Sequence, residues 1–200
     1  MTLYRDCPLG DLPVYRYNTV YADPPWAYLT WSAKGRGKSP KYGTLSLDDI
    51  KALPVAVRCT ADAVLVMWVI DTHLEMAFEV VEAWGFKFKT VCFTWAKTSA
   101  DGSKFPIGTG FWTRANPEMA LLATVGHPKR QDKGVPRLII APRREHSRKP
   151  DEAYERIERL VPGPYLEMFS RNDRPGWDCW GWEAGLYRRR TIEQDVEDVI

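Results

Sequence analysis

Asn18-Thr19-Val20-Tyr21-Ala22-Asp23-Pro24-Pro25-Trp26 is the stretch whose reading decides the fold. Its first five residues are a β-branched and aromatic run, which reads as a buried strand. The run stops at an acid followed by two prolines. Each proline fixes its own φ and biases the residue before it toward extended geometry. Residues 23–26 are therefore a stiff tetrapeptide at the end of a strand. It holds a carboxylate, a Pro24 carbonyl with no N–H on the following residue, and the plane of Trp26. A flat ring bearing an exocyclic amine suits this set, with the ring on Trp26 and one amine hydrogen each for Asp23 and the Pro24 carbonyl. Pro-Pro alone is an ordinary strand terminator. The acid before it, the tryptophan after it and the strand in front favour function.

Outward from this turn the pattern is that of an α/β domain. Residues 63–69 are unbroken apolar sequence, expected of a parallel strand covered on both faces. Residues 72–84 place Leu74, Ala77, Phe78, Val81 and Trp84 on one helical stripe, which Gly85 stops. Residues 86–95 alternate as a strand, completing a βαβ unit. Ser46 is suited to cap a short helix, with Asp48 and Asp49 in its first turn and Pro54 beyond its end. Residues 118–124 read as a strand, although their alanines and leucines suit a helix equally. A short strand follows at 137–140. Residues 149–161 predict a helix capped by Ser147, with Pro150, Asp151 and Glu152 in the first turn and Ala153, Tyr154, Ile157, Leu160 and Val161 on one face. Residues 165–169 are the next strand, opening into 170–174. With no repeat and no linker, the reading is one domain over 1–187 and a charged tail over 188–200.

Two hundred residues are enough for one sizeable core, and 44% hydrophobic with 27% charged residues is a soluble globular composition. A net charge of +2 excludes a strongly basic nucleic-acid coat, so contacts with nucleic acid must rest on local patches. Two basic loops offer such patches. One is 29–42 (Lys34, Arg36, Lys38, Lys41), directly behind the turn, and the other is 126–134 (Lys129, Arg130, Lys133). Cys7, Cys59, Cys92 and Cys179 form no close pair and the three histidines supply none, so the expectation is a reduced protein without metal. No apolar stretch approaches a membrane span and no signal segment opens the chain, which points to the cytoplasm or the nucleus. Nine tryptophans exceed what most cores use and permit stacking surfaces for bases.

The chemistry that suits the Asp23 turn is methylation of an aromatic amine. Such a nitrogen is a poor nucleophile because its lone pair is delocalised into the ring. Acceptors at Asp23 and Pro24 draw charge onto it as attack proceeds. S-adenosylmethionine is the donor that suits this transfer.

Asp23-Pro24-Pro25-Trp26, followed by Tyr42-Gly43-Thr44-Leu45-Ser46, resembles the N6-adenine methyltransferases of the MT-A family. The resemblance continues at Trp95-Ala96-Lys97, at 110–118 (Gly-Phe-Trp-Thr-Arg-Ala-Asn-Pro-Glu), at 146–152, and at Phe169-Ser170-Arg171 with Arg174-Pro175-Gly176-Trp177. It implies a permuted, beta-class Rossmann-like fold: a mostly parallel central sheet with helices on both faces, and the catalytic turn ahead of the donor-binding strand. It implies a catalytic turn of Asp23, Pro24, Pro25 and Trp26. Tyr42, Asn116 and Glu118 would surround the nucleoside, with Lys34 and Arg36 on phosphates. The donor side would comprise Asp6, Cys7, Asp23, Lys149, Phe169, Arg171, Arg174 and Glu183.

The implied partner is nucleic acid. DNA is favoured over RNA because the chain carries no appended RNA-binding module. A monomer, a homodimer or a heterodimer all fit the sequence, and no membrane is expected. The chain departs from the family pattern at Gly181-Trp182-Glu183, where relatives commonly have Asn after the glycine to contact the donor ribose. That departure sustains one alternative, a non-catalytic nucleic-acid-binding subunit with a degenerate donor site. Methylation of guanine N2 or a protein amide is a third reading, which Asp23 and Trp26 disfavour.

Overall fold

A computed structural model describes residues 9, 12–26, 44–108, 110, 112–145, 148–171 and 173–181. Seven strands form one sheet: β1 (Tyr17–Ala22), β2 (Cys59–Val69), β3 (Lys87–Thr98), β4 (Glu118–Val125), β5 (Leu138–Pro142), β6 (Tyr165–Met168) and β7 (Trp177–Trp180). Their spatial order is β5-β3-β4-β2-β1-β6-β7. β1 pairs in parallel with β2 and β6, as do β6 with β7 and β3 with β5, while β4 runs antiparallel between β2 and β3. β2 and β3 are thus the parallel strands of the expected βαβ unit, with β4 inserted between them.

Helices cover both faces. On one, α1 (Leu47–Lys51) and α2 (Leu74–Ala83) pack through Ile50, Ala77, Val80 and Val81 against Val20, Ala22, Leu65 and Met67. On the other, α3 (Asp151–Leu160) packs through Ala153, Tyr154 and Ile157 against Tyr21, Val64, Val66 and Trp68. The alternation of Val20 and Ala22 with Tyr21 is the period of two that a strand imposes. Ser46 caps α1 by accepting the Asp49 N–H at 3.1 Å. The indole of Trp84, just beyond α2, donates to the Ile50 carbonyl at 2.9 Å, which ties the two helices together and satisfies the buried N–H.

Two local expectations are corrected and one strand is added. Val80 rather than Phe78 faces the core. Phe78 sits at the edge of the stripe and packs edge-on to Phe88 at 5.0 Å. The N-cap of α3 is Pro150, without a side-chain bond, so the helix begins at Asp151; Ser147 lies outside the described residues. β7 was not anticipated at all.

The strand directions decide where a ligand can bind. β1, β2, β3, β5 and β6 all end at one edge of the sheet, and the reversed β4 begins there with Glu118. The carboxyl edge is where open α/β sheets hold ligands. The loop 126–134 leaves β4 at the opposite edge, where the His127 N–H donates to Asp62 at 2.7 Å and the Gln131 N–H to the Leu160 carbonyl at 2.9 Å. Lys129, Arg130 and Lys133 therefore stand away from the Asp23 turn, because an antiparallel strand delivers its following loop to the far side.

Candidate active site

A cleft of about 700 Å³ opens at this carboxyl edge. Asp23, Pro24 and Trp26 follow β1, Ile70 follows β2, Trp95, Lys97 and Thr98 end β3, with Ser99 and Ala100 just beyond it, Glu118 begins β4, and Arg143, Arg144, Glu145, Arg148 and Lys149 come from the segment between β5 and α3.

At its centre four side chains alternate in charge. Lys149 Nζ lies 2.8 Å from Asp23 Oδ2 and 3.2 Å from Glu118 Oε2, and Lys97 Nζ lies 2.5 Å from Glu118 Oε1. The Lys149 side chain is only 9% exposed and its ammonium stands 5.5 Å from the centre of the Trp68 ring, within reach of a cation–π attraction. Burial alone would favour a neutral amine, but Asp23 and Glu118 carry its pKa above the ordinary lysine value. Burial would likewise raise Glu118, yet Lys149 and Lys97 bring it down to about 2. For Asp23 burial prevails over the attraction of Lys149, and its carboxyl is pushed up. Asp23 is thus the more basic of the two acids, and the stronger hydrogen-bond acceptor.

Trp26 is mostly a wall. It is 7% exposed, its indole N–H reaches the Trp68 carbonyl at 3.4 Å, and the His73 ring lies 6.0 Å away, tilted. Its backbone N–H curls back onto the Pro24 carbonyl at 2.8 Å. Pro24 therefore has a competing donor two residues on, and a second lone pair remains for a ligand. Leu45 donates to the Pro25 carbonyl at 3.1 Å, pinning the turn to the start of α1.

The other residues anticipated from the sequence fall in different places. Asn116 does not line the cleft. Its amide oxygen accepts the Lys97 N–H at 3.0 Å, and its nitrogen donates to the carbonyls of Lys97 at 2.9 Å and Pro106 at 2.6 Å. It clamps the end of β3 and so positions Lys97. Arg171 lies close enough for its charge to favour the ionised form of Asp23. Phe169 has φ of 63° and is buried edge-on against Trp180 at 5.4 Å. Gly181 passes so near that an added Cβ would stand 2.4 Å from the Ser170 backbone, so only glycine fits there. Arg174 lies over the Tyr154 ring at 4.7 Å and bonds Glu158 at 3.2 Å. Asp6, Cys7, Lys34, Arg36, Tyr42, Trp182 and Glu183 lie outside the described residues, as does the tail 188–200.

Sequence reasoning passed over the pairing of Lys97 with Glu118, the ring of Trp68, and Arg143, Arg144 and Arg148. A double arginine directly after a strand bound for the carboxyl edge was the available signal. Beneath the site Glu167 on β6 accepts from the Tyr154 hydroxyl at 2.7 Å, and burial pushes its carboxyl up to about 7.

A Rossmann-like sheet with an Asp-Pro-Pro-Trp turn on the floor of its carboxyl-edge cleft defines the methyltransferase class of α/β fold. The chain belongs to the MT-A70 family, whose model matches residues 17–183. It is 31% identical over 193 residues to the type II methyltransferase M.MunI of a Mycoplasma species, covering 86% of this chain and 80% of that protein. It is 33% identical over 165 residues to an MT-A70-like N(6)-adenosine-methyltransferase of Arabidopsis thaliana, covering 80% of this chain and 23% of that one. With the human N(6)-adenosine-methyltransferase catalytic subunit METTL3 it shares 32% identity over 171 residues, 83% of this chain and 28% of that subunit. Among the described residues no helix is long and apolar enough to cross a membrane.

Proposed function

We propose that this chain is an S-adenosylmethionine-dependent methyltransferase acting on N6 of adenine in nucleic acid, with DNA favoured over RNA. The observation that carries the proposal is the Asp23 carboxylate, raised in basicity by burial, fixed by Lys149 at 2.8 Å and set beside the Pro24 carbonyl in the cleft. The choice of DNA rests on the similarity to the type II methyltransferase, 31% identical over 86% of this chain.

The residues present fit the donor. The cleft volume lies within the roughly 300–1,000 Å³ of small-molecule sites. Its acids and bases stand side by side, as a zwitterionic amino-acid end requires. Lys149 and Arg171 are the cations for a carboxylate, and Asp23 is an acid for an ammonium or sulfonium. The donor supplies an electrophilic methyl group when bound.

The chain's own residues do the rest. Asp23 and the Pro24 carbonyl accept the two amine hydrogens, and their hold strengthens as positive charge develops on the nitrogen. Asp23 is the nearest base for the proton the nitrogen then sheds. Glu118, kept ionised between two lysines, holds the Lys149 ammonium against Asp23, so the acceptor cannot rotate away. A base within a duplex must first be flipped into the cleft.

Mass spectrometry of nucleosides, recovered from DNA and RNA oligonucleotides incubated with the protein and donor, tests the reading. N6-methyl-2′-deoxyadenosine is expected. Methyl on another atom, or no methylated nucleoside, refutes the function, and a product confined to RNA refutes the choice of polymer.

A further inference from the structure

The connection from β3 to β4 is a built finger beside the cleft. It leaves through Ser99 and Ala100, which line the cleft, and returns at Glu118, which also does. Asn116 clamps its base to Lys97 and Pro106. A first turn is closed by the Ser99 N–H on the Lys104 carbonyl at 2.9 Å, with Asp101 accepting from Ser99 and Ser103. Farther out, the Gly108 N–H donates to the Ala115 carbonyl at 2.7 Å. The tip is folded so tightly that a Cβ on Gly110 would stand 1.9 Å from the Thr113 carbonyl oxygen.

This tip carries Trp112 at φ of 64°, a left-handed conformation that is strained for a non-glycine residue. Trp112 is 96% exposed, so its ring gains nothing from the protein's own core. Among the described tryptophans the other six are buried. The exposed cations of the finger are Lys104 and Arg114, its one acid is the turn-bound Asp101, and Arg143 stands at the rim of the adjoining cleft. Aromatic faces interleaved with cations are what single-stranded nucleic acid is bound by. Phe105 at 57% and Ile107 at 73% exposure are further exposed apolar side chains of the same connection.

We propose that Trp112 is a stacking platform for a base flanking the target adenine, with Lys104 and Arg114 as its phosphate contacts. This rests on the reading that nucleic acid is the substrate. The full chain is titrated into fluorescein-labelled, adenine-containing DNA and RNA oligonucleotides, single- and double-stranded, followed by anisotropy.

Trp112→Ala and the bulkier Trp112→Leu are expected to weaken binding about 5- to 150-fold, the range that the loss of one base–aromatic stack implies. Trp112→Phe keeps a π-face and retains binding. Arg114→Ala lowers the slope of log affinity against log salt by about 1. If the wild type binds and the alanine and leucine variants bind equally well, the platform is refuted while the substrate reading stands. A wild type that binds no polynucleotide removes the substrate reading itself. Sedimentation showing a wild-type dimer that Trp112→Ala dissolves would make the finger an interface between two copies, and would overturn the proposal.

Discussion

Replacing Lys149 by methionine removes a cation shared by Asp23 and Glu118. Lys149 is nearly buried, so the substitution is close to neutral in volume and the charge is the main loss. Breaking a buried pair by removing one partner costs about 3–5 kcal/mol, because the surviving charge is left desolvated. Asp23 and Glu118 keep 27% and 20% side-chain exposure, and Lys97 still pairs Glu118, so the lower end applies, about 3 kcal/mol at neutral pH. The cost depends on pH in a defined direction. Asp23 already has a folded-state pKa above its unfolded value, and losing Lys149 raises it further. A carboxyl raised in this way contributes stability below its unfolded pKa and loses it as pH rises through the folded one. The penalty of Lys149→Met is therefore larger at pH 8 than at pH 5, changing by up to about 1.4 kcal/mol per unit in the window where Asp23 is protonated in the folded variant and ionised in the folded wild type. Urea unfolding followed by tryptophan fluorescence at both pH values, with m held constant, reads it. A penalty below about 1 kcal/mol, small enough for a surface pair, or one that is flat with pH, would refute the account of the charge chain.

Other outcomes follow from the same geometry. Asn116→Ala removes three hydrogen bonds at the base of the finger and is expected to cost about 1–3 kcal/mol in urea unfolding, with turnover falling more than nucleic-acid affinity; unchanged stability would contradict the clamp. Glu167 is raised from 4.5 to about 7 by burial, so its contribution is fully present below pH 4.5 and is lost as pH rises through 7, about 3 kcal/mol in all. Glu167→Gln keeps an acceptor for Tyr154 and removes that slope, and equal pH dependence in the two proteins would contradict the burial argument. Glu118 acts in the opposite sense: its stabilisation is present above pH 4.5 and is lost toward pH 2, so Glu118→Gln flattens the acid limb of the stability curve.

The sequence made legible those features whose signals are local. The Asp-Pro-Pro turn, the Ser46 cap and the apolar run of β2 each announce themselves within a few residues. The insertion of β4 between β2 and β3 does not, because strand direction is settled by partners distant in sequence. β7 was invisible for the same reason: Trp177-Asp178-Cys179-Trp180 is too short to show a period and takes its form from the edge of β6. Trp26 read as an open stacking plane because burial is a property of the assembled sheet, and the Trp68 carbonyl that draws in its indole lies 42 residues away. Asn116 read as a ligand contact for a similar cause. A side-chain amide facing a backbone amide satisfies itself, and nothing in its flanking residues reveals that the partner is Lys97. Lys149, Glu118 and Asp23, drawn from three separate blocks, do converge, as residues delivered to one sheet edge must.

The claim most open to direct test is that Asp23 is the acceptor on which transfer depends. Single-turnover transfer of labelled methyl from S-adenosylmethionine to an adenine oligonucleotide, compared between wild type and Asp23→Ala, measures it. Loss of a preorganised acceptor predicts a rate lower by at least about 100-fold in a protein that remains folded by circular dichroism. A folded Asp23→Ala variant transferring methyl within a few-fold of the wild-type rate would contradict the account at its centre.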